Sequence, residues 1–71
     1  MGSHWMQFQS SLNSTAKTIG KGADFLVIPD QRNTHYDVRY GEKRKTIDLS
    51  VAEQILADPS KLADFVREFL G

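Results

Sequence analysis

The chain has 71 residues, of which 39% are hydrophobic and 25% charged, and its formal net charge is zero. This length allows a single small domain, and the composition is that of a globular protein. The chain has no cysteine, which excludes disulfides and thiolate metal sites. No apolar run approaches the roughly 18 residues of a membrane span. We therefore expect a soluble, cytoplasmic protein without membrane attachment, whose thin core favours self-association.

The N-terminal region has two parts. Residues 1–4 have the sequence of an expression-tag remnant. In residues 5–22, apolar side chains recur at the spacing of one helical face, at Trp5, Phe8, Leu12, Ala16 and Ile19. The Ser, Asn, Thr and Gln residues between them are mediocre helix formers as a group, because Ser, Asn and Thr side chains compete for backbone hydrogen bonds. The region is therefore either a helix over about 6–19 or a flexible arm, with a boundary near Gly20 and Gly22.

Three segments after this boundary have the patterns of β-strands. Residues 24–28 contain an apolar run that Pro29 stops, which is typical of a short buried strand. Residues 34–40 alternate between apolar and polar side chains, and residues 44–49 continue the alternation after Gly41 and Glu42. The sequence therefore predicts a three-stranded antiparallel sheet that ends in a β-hairpin.

Two registers of this hairpin keep the same face apolar. A two-residue turn at Gly41 and Glu42 pairs Tyr36 with Ile47, but it places Arg39 directly opposite Arg44. A four-residue loop over 41–44 pairs Val38 with Ile47 and keeps the cations at the tip. Because like charges opposite each other destabilise a hairpin, we expect the four-residue loop.

Two helices are predicted at the C-terminus. Ser50 and Glu53 have the spacing of a capping box, which predicts a helix over about 51–57. Asp58 and Pro59 then form a second start signal for a helix over about 59–70. Its apolar face consists of Leu62, Phe65, Val66, Phe69 and Leu70. The predicted fold is α+β, with residues 23–71 as one small domain.

The sequence contains few groups that could perform catalysis. His35 has Asp37 on its own strand face and Asp48 as a cross-strand neighbour, but a surface histidine with polar neighbours explains this pattern better. One histidine with two aspartates is a poor zinc site. A chain of this size also has difficulty enclosing a substrate pocket. We therefore expect no enzyme activity, no cofactor and no bound metal.

The charges are unevenly distributed along the chain. Residues 1–45 carry seven cationic and four acidic side chains, a net charge of +3, whereas residues 46–71 carry two and five, a net charge of −3. A basic hairpin tip with nearby tyrosines could bind phosphates and stack on bases. This alternative function is a nucleic-acid-binding module, or DNA-binding regulator, that would use Arg39, Lys43, Arg44 and Lys45 with Lys21 and Arg32.

The N-terminal stripe favours a different function. Strands and the C-terminal helix already fill the expected core, so the stripe has no obvious place within it. An unburied apolar stripe is typical of a partner surface or a dimer contact. The sequence therefore predicts a non-enzymatic binding module, such as a regulatory subunit, inhibitor or assembly component. It would act through protein–protein interaction and form a homodimer, with its contact surface at Trp5, Phe8, Leu12 and Ile19.

Overall fold

The computed structural model describes residues 4–71 and contains three helices and three strands. The strands form one antiparallel sheet in the order β1-β2-β3, which confirms the predicted α+β class. No helix within the described residues is long and apolar enough to span a membrane. Of the predicted tag remnant, residues 1–3 lie outside the described part, and His4 begins the first helix. The elements are α1 (His4–Thr18), β1 (Leu26–Pro29), β2 (His35–Tyr40), β3 (Lys43–Asp48), α2 (Leu49–Leu56) and α3 (Pro59–Leu70).

The N-terminal segment is a helix, so the flexible-arm alternative is wrong for residues 4–18. Helix α1 ends in a Schellman motif, in which the Lys21 N–H donates to the Ala16 carbonyl at 2.8 Å and the Gly20 N–H to the Lys17 carbonyl at 3.1 Å. Gly20 has φ +78°, a conformation that residues with a side chain rarely adopt. The helix therefore ends before Gly20 and Gly22, as their positions predict.

The apolar stripe of α1 is part of the core. Phe8 is 1% exposed and Leu12 is fully buried, while Trp5 and Ile19 are half-buried against the same cluster. The expectation that this stripe stays unburied is wrong. Helix α2 packs beside β2 and β3, α3 packs against α1 and α2, and α1 lies over β1. Phe8 lies between Tyr36 and Phe65, at ring-centroid distances of 5.8 and 6.2 Å.

The sheet has one covered face and one open face. Val27, Tyr36, Val38 and Ile47 point toward the helices and are buried. The residues that alternate with them face away from the helices, and Leu26 there is 50% exposed. Tyr36 is therefore a core residue, and burial together with nearby Glu53 raises the pKa of its phenol.

The hairpin uses the register that we did not expect. Tyr36 pairs with Ile47 and Arg39 with Arg44, and the turn consists of Gly41 and Glu42 alone. A glycine with φ +60° at the first turn position suits a type II′ turn, whose twist matches that of the strands. The like-charge pair is tolerated because Asp37 binds both guanidinium groups on the same face.

The two C-terminal helices begin differently. Helix α2 begins at Leu49, directly after β3, and its N-cap Asp48 makes no side-chain capping bond. The predicted capping box is wrong, because Ser50 already lies inside the helix. Helix α3 begins as predicted: the Asp58 carboxylate accepts from the Ser60 N–H at 2.9 Å, and Pro59 is the first helical residue.

Burial of Phe8 predicts that α1 is required for the fold. Phe8→Ala should lower the free energy of unfolding by about 3–5 kcal/mol, because it removes a fully buried ring. Met6→Ala, on the same helix but 54% exposed, is the matched control and should change stability little. Urea unfolding followed by circular dichroism measures both variants. Equal stability of the Phe8 variant and the wild type would show that α1 does not pack as described.

Candidate interaction site

The β1 edge of the sheet is covered by side chains from α1. The Gln9 side-chain oxygen accepts from the Val27 N–H at 2.9 Å, and the Asn13 oxygen accepts from the Phe25 N–H at 2.6 Å. Gln9 and Asn13 are four residues apart, which is a rise of about 6 Å along the helix. Phe25 and Val27 are two residues apart, which is about 6.6 Å along a strand, so the spacing of the acceptors matches that of the donors. Gln9 and Asn13, here called the edge clasp, therefore bind successive outward N–H groups of this edge.

Proline completes this closure. Pro29 pairs with Tyr36 and lies two residues after Val27, so its nitrogen occupies the next outward position. Because proline has no N–H, that position offers no donor. Every outward donor position from residue 25 to residue 29 is thus bound or absent. The β1 edge cannot accept a further strand in a normal ladder.

The β3 edge is free. The Leu49 N–H donates to the Thr34 carbonyl at 3.1 Å, which fixes the alternation of inward and outward backbone groups along β3. By this alternation, Arg44, Thr46 and Asp48 direct their N–H and C=O groups away from β2. Within residues 4–71 no further strand pairs with these positions, although the Asp48 carbonyl, as the N-cap of α2, accepts the first hydrogen bond of that helix. All three side chains are exposed on the open face.

Two lysines of β3 lie on the opposite, helix-facing side. The Lys43 Nζ donates to the Leu70 carbonyl at 2.8 Å, near the C-terminus of α3. The Lys45 Nζ lies 5.6 Å from the centroid of the Phe65 ring. Beside them is an open groove of about 330 Å³ between β3 and α3. The groove is lined by Lys43, Arg44, Lys45, Glu68 and Phe69.

Asp37 neutralises the open face of the hairpin. Its Oδ2 accepts from Arg39 at 2.7 Å and from Arg44 at 3.4 Å. The hydrogen bond from Arg39 is the main reason that the pKa of Asp37 lies below its usual value. The other carboxylate oxygen, Oδ1, is buried and accepts no hydrogen bond within the described part of the chain. This one carboxylate therefore holds two opposed arginines in place.

His35 joins the strands at the other end of the open face. Its Nε2 lies 2.6 Å from the Asp48 carboxylate, and its Nδ1 lies 3.8 Å from that of Asp30. Asp30 closes the loop between β1 and β2 by accepting from the Thr34 and His35 N–H groups. The bond from the Thr34 backbone chiefly lowers the pKa of Asp30. The His35–Asp48 pair considered from the sequence is present, but Asp37 pairs with arginines instead.

The structure does not bring all the residues of either predicted site together on one exposed surface. In the proposed partner surface, Phe8 and Leu12 are buried, so they cannot contact a partner without unfolding; Trp5 and Ile19 are half-buried. In the proposed nucleic-acid site, Arg39, Lys43, Arg44 and Lys45 lie together in the hairpin. Lys21 is in the loop after α1, and Arg32 is in the loop at the far end of β2, about 20 Å from the hairpin tip.

Sequence reasoning missed the edge clasp. Gln9 and Asn13 have the i, i+4 spacing of one helical face and flank the apolar stripe, which is the only signal that the sequence offers. No group of three or more metal-ligating side chains occurs between His4 and Gly71. Comparison with protein-family models, with curated proteins and with solved structures finds no match.

The edge clasp makes a prediction about stability. Gln9→Ala and Asn13→Ala should each lower the free energy of unfolding by about 1–3 kcal/mol, because each leaves a partly buried N–H without its acceptor. Gln7→Ala, an exposed position on the same helix, is the control. Amide hydrogen exchange should accelerate at Val27 in the first variant and at Phe25 in the second. Unchanged exchange at these two amides would contradict the clasp.

The Asp37 contacts predict a pH dependence. A lowered folded-state pKa means that the ionised carboxylate stabilises the fold above its unfolded value of 3.8, and that this contribution is lost as the pH falls through the folded pKa. Asp37→Asn should therefore be less stable than wild type at neutral pH, and the difference should shrink below about pH 3.8. Asp64→Asn, at a strongly exposed pair with Arg67, is the control. A pH-independent difference would argue against this ionic contribution.

Proposed function

We propose that the protein is a non-enzymatic interaction module that binds an extended, acidic segment of a partner protein as a fourth strand at β3. One observation carries this proposal: side chains of α1 close one edge of the sheet, whereas within residues 4–71 no strand pairs with the outward N–H groups of Arg44, Thr46 and Asp48 at the other edge. Proteins usually block the exposed edges of their sheets, because an unblocked edge can pair with a strand of another chain. An exposed sheet edge is the place where an extended peptide can add as a further strand.

The side chains of β3 favour an acidic segment. In strand addition the backbone supplies affinity, and the alternating side chains supply specificity. The basic residues Lys43, Arg44 and Lys45 occupy consecutive positions, so they offer cations on both faces of an added strand. The groove beside α3 gives space for the side chains that face the helices. An extended segment with carboxylates on that face would match both features.

The nucleic-acid alternative has less support from the contacts. On the open face, Arg39 and Arg44 share Asp37, and this carboxylate offsets part of their positive charge, which weakens the attraction of that face for phosphates. The tyrosines do not form a stacking platform on the open face, because Tyr36 is buried and Tyr40 packs against Phe25 at 5.7 Å. The Asp37 and Asp48 carboxylates also lie on the open face and would repel phosphates. Nucleic-acid binding stays a prediction that the same experiment tests.

A strand-forming acidic peptide tests the proposed function. We expect a synthetic peptide of alternating threonine and glutamate to bind and to shift the amide resonances of Arg44, Thr46 and Asp48. The same peptide with lysine in place of glutamate is the control and should bind more weakly. Thr46→Pro should weaken binding roughly ten-fold or more, because it removes an outward donor and places a ring on the edge. Its β2 ladder stays intact, which circular dichroism can verify.

The outcomes separate the two candidate functions. Peptide shifts confined to β3 and lost in the Thr46 variant would support strand addition. Equal binding of the acidic and basic peptides, or shifts away from β3, would contradict it. Labelled duplex DNA and single-stranded RNA, measured by fluorescence anisotropy at two salt concentrations, form the other arm. Salt-sensitive binding that Arg39→Gln and Lys43→Gln abolish would favour the nucleic-acid alternative instead.

A further inference from the structure

We infer that the strand bound at this edge is β3 of a second copy of the chain, paired antiparallel about a two-fold axis at Thr46. This inference rests on the proposed function, and it names the partner and the register. Asp48 of the other copy supplies a carboxylate to Arg44 on the open face, whereas Lys43 and Lys45 on the helix-facing side lie opposite the partner's Leu49 and the partner's Ile47. The interface is thus self-complementary, as a two-fold symmetric dimer demands.

The backbone permits this pairing. Two antiparallel strands exchange hydrogen bonds only where the outward groups of both strands face each other. With the axis at Thr46, each Thr46 faces its symmetry mate, and each Arg44 faces the partner's Asp48. All of these positions are outward on β3. The two Thr46 residues would exchange two backbone hydrogen bonds, and each Asp48 N–H would donate to the partner's Arg44 carbonyl. These roughly four bonds would join two three-stranded sheets into one.

The charges select this register. Each Arg44 side chain would lie beside the partner's Asp48 on the open face, and this opposite-charge pair occurs twice by symmetry. A shift by two residues in one direction puts Lys45 opposite the partner's Lys45, which is unfavourable. A shift in the other direction puts Arg44 opposite the partner's Ser50, which belongs to α2 and has no extended backbone to pair.

The neighbouring contacts extend across the interface. Asp48 already binds His35 at 2.6 Å, and Arg44 already contacts Asp37 at 3.4 Å. In the paired sheet, His35, Asp48, the partner's Arg44 and the partner's Asp37 would form a row of groups with alternating charge whenever the imidazole is protonated. The two Thr46 side chains would lie together on the axis, where threonine pairs are favourable.

The edge clasp limits the assembly to two copies. A protein with two open edges can add strands without end, which leads to fibres. Within residues 4–71, β3 is the edge without a paired strand, and pairing with its symmetry mate leaves no further edge for a third copy. The contact is narrower than the about 1,200–2,000 Å² of stable interfaces, so we expect a weak dimer that dissociates on dilution.

A charge-swap experiment tests the pairing and its register. Arg44→Asp places like charges opposite each other at both ends of the interface, and so does Asp48→Arg. Each variant alone should dimerise roughly ten-fold or more weakly than wild type, because two attractive pairs become repulsive. An equimolar mixture restores two opposite-charge pairs and should form a heterodimer. Sedimentation velocity over a concentration series reaching millimolar measures all three samples, with folding verified by circular dichroism.

Matched controls complete the test. Arg32→Asp makes the same charge change in an exposed loop and should dimerise like wild type. Rescue in the mixture, with neither variant dimerising alone, would support the register. Dimerisation of both single variants at wild-type strength would contradict the register, and a wild-type chain that stays monomeric at millimolar concentration would overturn self-pairing. If that monomer still binds the acidic peptide at β3, the proposed function stands; if it does not, both fail.

Discussion

Gln9 and Asn13 bind the outward N–H groups of Val27 in β1 and of Phe25 just before it, and the packing of α1 and the closure of this edge depend on this contact. It holds α1 along the strand, so that Phe8 and Leu12 complete a core that α2 and α3 leave open on one side. It also removes one of the two edges that a three-stranded sheet exposes. The asymmetry between the closed β1 edge and the free β3 edge follows directly.

The hairpin also depends on one polar side chain that binds two groups. A two-residue turn brings Arg39 and Arg44 together, which is unfavourable unless an anion lies between them. Asp37 supplies that anion, and it leaves Arg44 held at the edge of the sheet. At the other end of β3, Asp48 is held by His35. On its open face, β3 therefore presents one cation, Arg44, and one anion, Asp48, in fixed positions, which is the arrangement that pairing with an antiparallel copy would use.

Much of the fold could be predicted from local patterns. The alternation in residues 34–40 and the spacing of Leu62, Phe65 and Val66 identify the central strand and the last helix, because burial on one face imposes those periods. The register could not be predicted from directly opposed charges alone, because Asp37 contacts Arg39 on its own strand and Arg44 diagonally across the hairpin. The capping box failed because α2 continues directly from β3, so that Ser50 is inside the helix.

The candidate site was harder to predict, because it depends on contacts between distant segments. Polar residues in α1 are poor helix formers in isolation, yet Gln9 and Asn13 are there to bind a strand that begins more than ten residues later. The apolar stripe similarly has the spacing of a partner surface, but in the fold it packs into the core and α1 covers β1. The basic residues at 43–45 were identified from the sequence, but the free backbone beside them depends on strand order.

Amide hydrogen exchange by NMR tests the asymmetry of the two edges most directly. In dilute solution, the amides of Phe25 and Val27 should be protected, whereas those of Arg44, Thr46 and Asp48 should exchange almost as fast as in an unfolded chain. At high protein concentration the three β3 amides should become protected while the β1 amides stay unchanged. Equal protection of both edges in dilute solution, or no effect of concentration on β3, would contradict a closed edge beside a pairing edge.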